Sequence, residues 1–280
     1  MTKRTDALGV RHGAMLPIDN ETRRLLRRME DRWKRLDHDQ NYCSRVFRRI
    51  GRYEDISFLS TNETIAHIVG GIAPTPQDTI LAVCGSGDQA FALAEHGARI
   101  VAVDNNPAQI QYGKDRADLL RKAKYFEFLT MGTTIRNDNG WAITRRKNRD
   151  YLARMPRLRA MRENVENIEF HIGDIFDGKT YPAAEYTKIY LSNAHTYGGN
   201  SRGHRDIHTL VEALPRDGLL YVASPLYAFR ACCGLETERS MMGTGRRTAD
   251  DYWNPVVYRK VPKRRASSRN KAQDNKKQSL

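Results

Sequence analysis

Between Asp78 and Gln111 the chain runs through an apolar stretch, a pair of glycines, an amphipathic segment and a second apolar stretch that ends in an acid. Few folds accommodate that order. Thr79–Cys84 is rich in Ile, Val and Leu and leaves no room for a helix before the glycines, so it predicts a buried parallel strand. Asp88–His96 carries Phe91, Ala92, Leu93 and Ala94 at helical spacing, Gly97 closes that helix, and Arg99–Val103 predicts a second strand capped by Asp104. Strand, turn, helix and strand in succession form half of a doubly wound nucleotide-binding sheet. Gly85 and Gly87, on either side of Ser86, let the backbone turn sharply and approach a ligand where a Cβ would intrude, and the helix that follows opens with unpaired N–H groups. At the tip of the second strand, Asp104 is placed to accept hydrogen bonds from both hydroxyls of a ribose.

Residue types at the turn narrow the ligand. A dinucleotide fingerprint needs a third glycine where this chain has Ala90, and Asp88 sets a negative charge where a pyrophosphate would lie. No Gly-Lys-Ser/Thr follows, which excludes a P-loop. A nucleoside without phosphate fits these features, and S-adenosylmethionine fits better than NAD. A purely structural βαβ turn with an ordinary surface Asp is the alternative.

Upstream, Asn20–Leu36 places Leu25, Met29, Trp33 and Leu36 on one face of a basic helix, a pattern that suits a membrane interface, a lid, or an appendage packed on the core. Short helices are predicted over Asn41–Ile50 and Phe58–Gly70, so residues 1–73 form a helical N-terminal region, which Pro74-Thr75-Pro76 separates from the first strand. Beyond Asn105-Asn106-Pro107 a long helix is expected over Ala108–Leu129, then a loop from Met131 to Trp141 and basic helical character over Arg145–Val165, interrupted at Pro156. This helical material, about residues 113–166, is an insertion before the third strand, Ile168–Ile172. Asp174, followed by Ile175, stands at the edge of that strand, where an acid can accept the exocyclic amine of adenine. Tyr186–Leu191 predicts a fourth strand, leading into Ser192-Asn193-Ala194-His195-Thr196-Tyr197 at the reactive edge of such a sheet. His195 and Tyr197 are candidate acid, base or orienting groups; a merely solvated loop is the plain alternative. A helix over Asp206–Leu214, a strand over Leu219–Ala223, helical character over Leu226–Leu235 and a closing strand over Val256–Val261 complete a domain of residues 74–261. The fold class is α/β, a doubly wound Rossmann-like and mostly parallel sheet.

Among 280 residues, 47 Lys and Arg face 33 Asp and Glu, a formal charge of +14 that implies anionic company such as nucleic acid, an acidic membrane surface or an anionic substrate. No aromatic platform or RNA-binding motif accompanies that charge, so nucleic acid is the less favoured partner. The four cysteines form no C-x-x-C pair, His204 and His208 lack a third ligand, and neither supports a metal site. Unpaired cysteines and the lack of a signal-like or membrane-spanning run predict a cytoplasmic protein, with peripheral membrane contact through its basic ends. Residues 262–280 are too polar to pack and predict a disordered basic tail.

The segments GRYED before the first strand, CGSGDQAFALA at the turn, VDNNPAQ, YFEFLTMG and LSN together resemble the 3-amino-3-carboxypropyl transferases of betaine-lipid synthesis, over roughly Tyr42 to Pro225. That resemblance implies S-adenosylmethionine as a substrate, attack on its Cγ with release of methylthioadenosine, and a lipid or small-molecule hydroxyl as acceptor. It implies a cofactor site shaped by Gly85, Gly87, Asp104, Gln109, Asp174 and Asn193, bordered by Ser86, Asn105, Ile175 and Ser192, with Glu54 and Asp55 nearby. An acceptor hydroxyl needs a base, for which His195, Tyr197 and the Glu54-Asp55 pair are the candidates. The shorter middle insertion and the basic tail depart from that family's pattern. A methyltransferase acting on a small molecule or RNA, and a non-catalytic binding module, are the alternative functions.

Overall fold

β1 (Thr79–Val83) lies inside the sheet, hydrogen-bonded in parallel to β2 (Arg99–Asp104) on one side and β4 (Lys188–Ser192) on the other. Its apolar run is continuous because both faces of the sheet are covered. β3 (Ile168–Ile172) extends the sheet beyond β2, and β5 (Leu219–Val222) extends it beyond β4, both in parallel. β7 (Val256–Lys260) and β6 (Leu235–Ser240) close that side with antiparallel pairings, giving seven strands in the order β3-β2-β1-β4-β5-β7-β6. This is the doubly wound, Rossmann-like arrangement expected from the sequence. The computed structural model describes residues 16–38, 56–131, 151–196, 207–223, 234–240 and 254–262.

On one face pack α2 (Ile65–Ile72), α3 (Asp88–Ala94), α4 (Pro107–Arg121), α5 (Tyr125–Thr130) and α6 (Met155–Glu163), whose apolar residues share one core with Ile80, Ile100 and Tyr190 of the sheet. Helical residues 207–213 cover the opposite face through Ile207, Leu210 and Val211 against Leu81, Val101 and Ile189. The basic helix α1 (Asn20–His38) buries Leu25 and Met29 in the first core. Its attachment is completed by Thr22, whose hydroxyl accepts from the Met155 amide at 3.1 Å, and by Arg28 stacked over Phe126.

Several elements differ from their sequence expectation, each for a physical reason. The helix foreseen from Phe58 starts at Ile65 instead, because side chains take up the preceding amides: Phe58 N donates to Gln109 Oε1 at 3.1 Å and Thr61 N to Asp88 Oδ2 at 2.9 Å. The single helix foreseen over Ala108–Leu129 is two, α4 and α5, broken where Ala123 adopts φ 51° and the Lys124 amide closes back on Leu119 O. The interruption foreseen at Pro156 is present: helical backbone at 151–152 stops at 153–154, and α6 begins anew with Pro156 in its first turn, where its missing N–H costs nothing. Leu235, foreseen at the end of a helix, opens β6; the strand reads LETERS, and a charged edge strand carries little apolar signal.

The middle of α4 passes close to the sheet. A Cβ on Gly113 would lie 2.7 Å from Phe170 Cε1 on β3. Gly113→Ala is expected to cost about 1–3 kcal/mol through overpacking, read as a lower denaturant midpoint with unchanged slope; an unchanged midpoint would show that the helix does not sit against Phe170.

Candidate functional site

Below the glycine turn, a charge pair fixes the floor of the site. Arg116 of α4 and Asp88 at the start of α3 meet at 2.6 Å, each side chain only 4% exposed. The guanidinium lies 4.5 Å from the Phe128 ring centre and 5.3 Å from that of Phe91, and also donates to Ser86 O at 2.7 Å. Asp88 accepts in addition from Ser86 Oγ and from the Thr61 amide, so one carboxylate ties the turn to the segment preceding α2. The sequence placed the Asp88 charge at the ligand, but the structure turns it inward and neutralises it. What bars a pyrophosphate must therefore be sought elsewhere.

Gly85 and Gly87 have φ of 45° and 80°, the left-handed region that other residues avoid. Their turn brings the Gly85 amide to 3.0 Å from Asp104 Oδ2, while the Asn106 amide donates to Oδ1 at 3.0 Å. Asp104 is thus held from both sides by backbone at the end of β2. Burial raises its carboxyl above the usual carboxylate range, and the Asn106 and Gly85 amides oppose that rise. A cleft of about 670 Å³ opens at the carboxyl ends of β1, β2, β3 and β4, where the strand order reverses. Among the described residues that line it, none is Lys or Arg, and two, Asp104 and Asp174, are carboxylates. Gln89, also in the lining, donates from Nε2 to Val83 O at 2.7 Å and to Cys84 O, which leaves Oε1 buried and without a partner.

At the β4 end of the cleft, Ser192 adopts φ 54°, beside a register shift between β4 and β5. Its hydroxyl donates to Glu63 Oε1, which also accepts from Tyr190 Oη at 2.6 Å. Glu63 is buried, and loss of solvation raises its carboxyl above the usual range despite the hydrogen bonds from Ser192 and Tyr190. His195 lines the same end; burial lowers its imidazole below the usual histidine value, and Nδ1 has no partner.

The structure therefore gathers Gly85, Ser86, Asp104, Asn105, Asp174, Ile175, Ser192, Asn193 and His195 around one cleft. Gln109 is placed behind it: both ends of its amide bind the backbone of Phe58, which does line the cleft. Gly87 supports the turn, with Phe91 at 3.1 Å from where its Cβ would be. Glu54, Asp55 and Tyr197 lie outside the described residues. Glu63, Gln89 and Tyr190 were not singled out from sequence. An acid two residues ahead of the largely apolar IAHIVGGI was the available sign of Glu63, since such a residue is carried inward with its helix.

No protein-family model matches the chain, and no curated protein does. Solved structures resemble it more distantly. Magnesium protoporphyrin IX methyltransferase from Synechocystis PCC 6803 with bound SAM is 15% identical over 82% of this chain and 90% of that one, with a TM-score of 0.44. An RNA methyltransferase from Salinibacter ruber in complex with S-adenosyl-L-homocysteine is 14% identical over 74% of this chain and 97% of that one, with a TM-score of 0.41. The match to the cyclase SpnF, 14% identical with a TM-score of 0.36, covers 57% of this chain and 43% of that one, so the chain spans under half of the cyclase. The likeness is one of fold.

Because the native carboxyl of Glu63 titrates above its unfolded value, the native state keeps a proton that the unfolded chain releases. The stability this contributes is full below the ordinary carboxylate range and is lost as pH rises through the raised native value. Denaturant unfolding across a pH series should show that decline in the wild type and a flatter curve for Glu63→Gln; parallel curves would contradict the raised titration.

Proposed function

We propose that the chain is an S-adenosylmethionine-dependent transferase. The observation that carries this reading is the charge of the cleft: in a protein of formal charge +14, the described lining holds two carboxylates and no Lys or Arg. Such a surface repels phosphates and suits a nucleoside that is itself cationic. Its donor set fits that ligand. Asp104, anchored by the Gly85 and Asn106 amides, keeps lone pairs for ribose hydroxyls; Asp174 stands exposed at the end of β3 for an exocyclic amine; and the orphaned Gln89 Oε1 calls for a donor. When bound, the sulfonium supplies carbons activated toward nucleophilic attack.

The finer reading is transfer of the 3-amino-3-carboxypropyl group to a lipid or small-molecule acceptor. It is supported by the run of segments CGSGDQAFALA, VDNNPAQ, YFEFLTMG and LSN, and by the exposed Arg23, Arg24 and Arg27 of α1, a basic face that an anionic lipid surface would attract. Among the described residues no helix is long and apolar enough to cross a membrane, so any lipid would be met at a surface. Methyl transfer is the second reading, favoured by the high positive charge if the acceptor carries phosphates. Which carbon reacts depends on which one the cleft holds in line with the nucleophile.

Incubation with S-adenosylmethionine and cell extract, followed by mass spectrometry of the nucleoside product, separates the readings: methylthioadenosine for aminocarboxypropyl transfer, S-adenosylhomocysteine for methyl transfer, neither for a binding module. Asp104→Ala removes charge-assisted hydrogen bonds and is expected to weaken cofactor binding by about 100-fold or more in calorimetry. Unchanged affinity would refute the site.

A further inference from the structure

Three hydroxyls and one carboxylic acid meet under the β4 end of the cleft, and only part of that group reaches the ligand space. Tyr190 and Ser192 line the cleft, whereas Glu63 stands behind them and receives both of their hydroxyl hydrogen bonds on Oε1. A hydroxyl has a single proton. While Ser192 and Tyr190 give theirs to Glu63, their oxygens present only lone pairs to the cleft. Ser192 Oγ also lies 3.3 Å from Asn193 Oδ1, but its contact to Glu63 is the shorter. Ser192 combines this inward hydroxyl with a left-handed backbone, and strain of that kind persists where surrounding structure enforces it.

We propose that Glu63 is a positioning residue that makes Ser192 the proton acceptor of the cleft, for a substrate whose nucleophile carries its own proton, a hydroxyl or an amine. This rests on the transferase reading above. The nucleophile's proton moves onto Ser192 Oγ while the Ser192 proton moves onto Glu63 Oε1. The electron pair of the broken bond stays on the nucleophile, and the negative charge passes from Glu63 to it. Among the described residues nothing else charged competes for the carboxyl. The groups that act on it are Ser192 and Tyr190 from β4 and Tyr221 from β5, with no Lys, Arg or His among them. Burial raises the Glu63 carboxyl, which brings its basicity closer to that of a useful acceptor at neutral pH. Tyr190 and Tyr221, held well above the ordinary phenol value by burial and by Glu63 itself, keep their protons throughout.

The test has a ligand-free arm and an activity arm. Infrared difference spectra of the protein alone, recorded across a pH series, should show a buried carboxyl band that titrates above the ordinary carboxylate range. Glu63→Gln should abolish that band, and Ser192→Ala should shift its midpoint. With S-adenosylmethionine and cell extract, both variants should form nucleoside product at least 100-fold more slowly and lose the pH limb of the wild type, while Glu63→Gln, which lies behind the cleft lining, binds S-adenosylmethionine within twofold of it. Thermal unfolding of each variant confirms that it is folded before it is scored. A carboxyl band unmoved by Ser192→Ala overturns the proposal, as does a pH limb that survives Glu63→Gln and vanishes in His195→Asn, which would assign the proton to the imidazole. A wild type that does not bind S-adenosylmethionine refutes the transferase reading instead, and the infrared arm still decides whether Glu63 and Ser192 share a proton.

Discussion

Everything at the carboxyl edge of the sheet is referred to the buried pair of Arg116 and Asp88. Alone, neither charge could sit where it does: each is 4% exposed, and an isolated ion in that setting would neutralise or unfold its surroundings. Together they satisfy one another, and their remaining bonds reach two separate stretches of chain, the turn through the carbonyl and hydroxyl of Ser86, and the segment before α2 through the Thr61 amide. The aromatic rings of Phe91 and Phe128 take the guanidinium face that water would otherwise occupy. A pair of this kind contributes little net stability compared with apolar residues of the same volume, and its use here is geometric. It sets the distance between the glycine turn and the segment before α2, and so the width of the cleft.

That pair also explains how a basic protein keeps Lys and Arg out of the described lining of its cleft. Arg116 bonds the turn directly, and it is turned under the floor, with its charge already matched by Asp88. Arg157 is likewise buried, against Glu95 and under the Tyr151 ring, on the far side of α3. Lys188, at the start of β4, is held at 2.6 Å by Asp78 at the opposite edge of the sheet. Arg116, Arg157 and Lys188, three of the buried cations among the described residues, are each given an acid away from the ligand space. Other basic side chains, such as Arg23, Arg24 and Arg27 on α1, are exposed. The negative character of the cleft follows from this separation, since Asp104 is left to backbone amides alone.

Much of this architecture is legible in the residues, and the parts that are not share a cause. β1, β2 and β5 declare themselves as apolar runs, and Asp104 as the acid that ends β2, because burial on two faces leaves an unmistakable pattern. β6 does not, since an edge strand is free to be polar. The irregular segment before α2 is invisible for a different reason: its backbone is held by Gln109 and by Asp88, 51 and 27 residues away in the chain. No local propensity can report a constraint of that kind. Arg116 was recoverable in principle. It occupies the same face of α4 as Gln109, Tyr112, Gly113 and Leu120, and a lone Arg within a buried stripe implies a buried acid. Asp88, read as a surface charge at the ligand, was that acid.

The position of Glu63 depends, in turn, on a residue with no side chain. α2 lies across β5 and β7 so closely that a Cβ on Gly71 would stand 2.9 Å from Val257 and 3.0 Å from Tyr221. Any larger residue would lift the helix from the sheet. Glu63 sits just ahead of the first turn of α2, so the height of the helix above β5 fixes the height of the carboxyl above Tyr221 and Tyr190. With the helix this low, Glu63 loses its water and gains the hydroxyls of β4; with the helix raised, it would keep water and an ordinary titration. The basicity at the floor of the cleft is therefore set by helix-to-sheet packing some two turns away, rather than by any charge placed beside it.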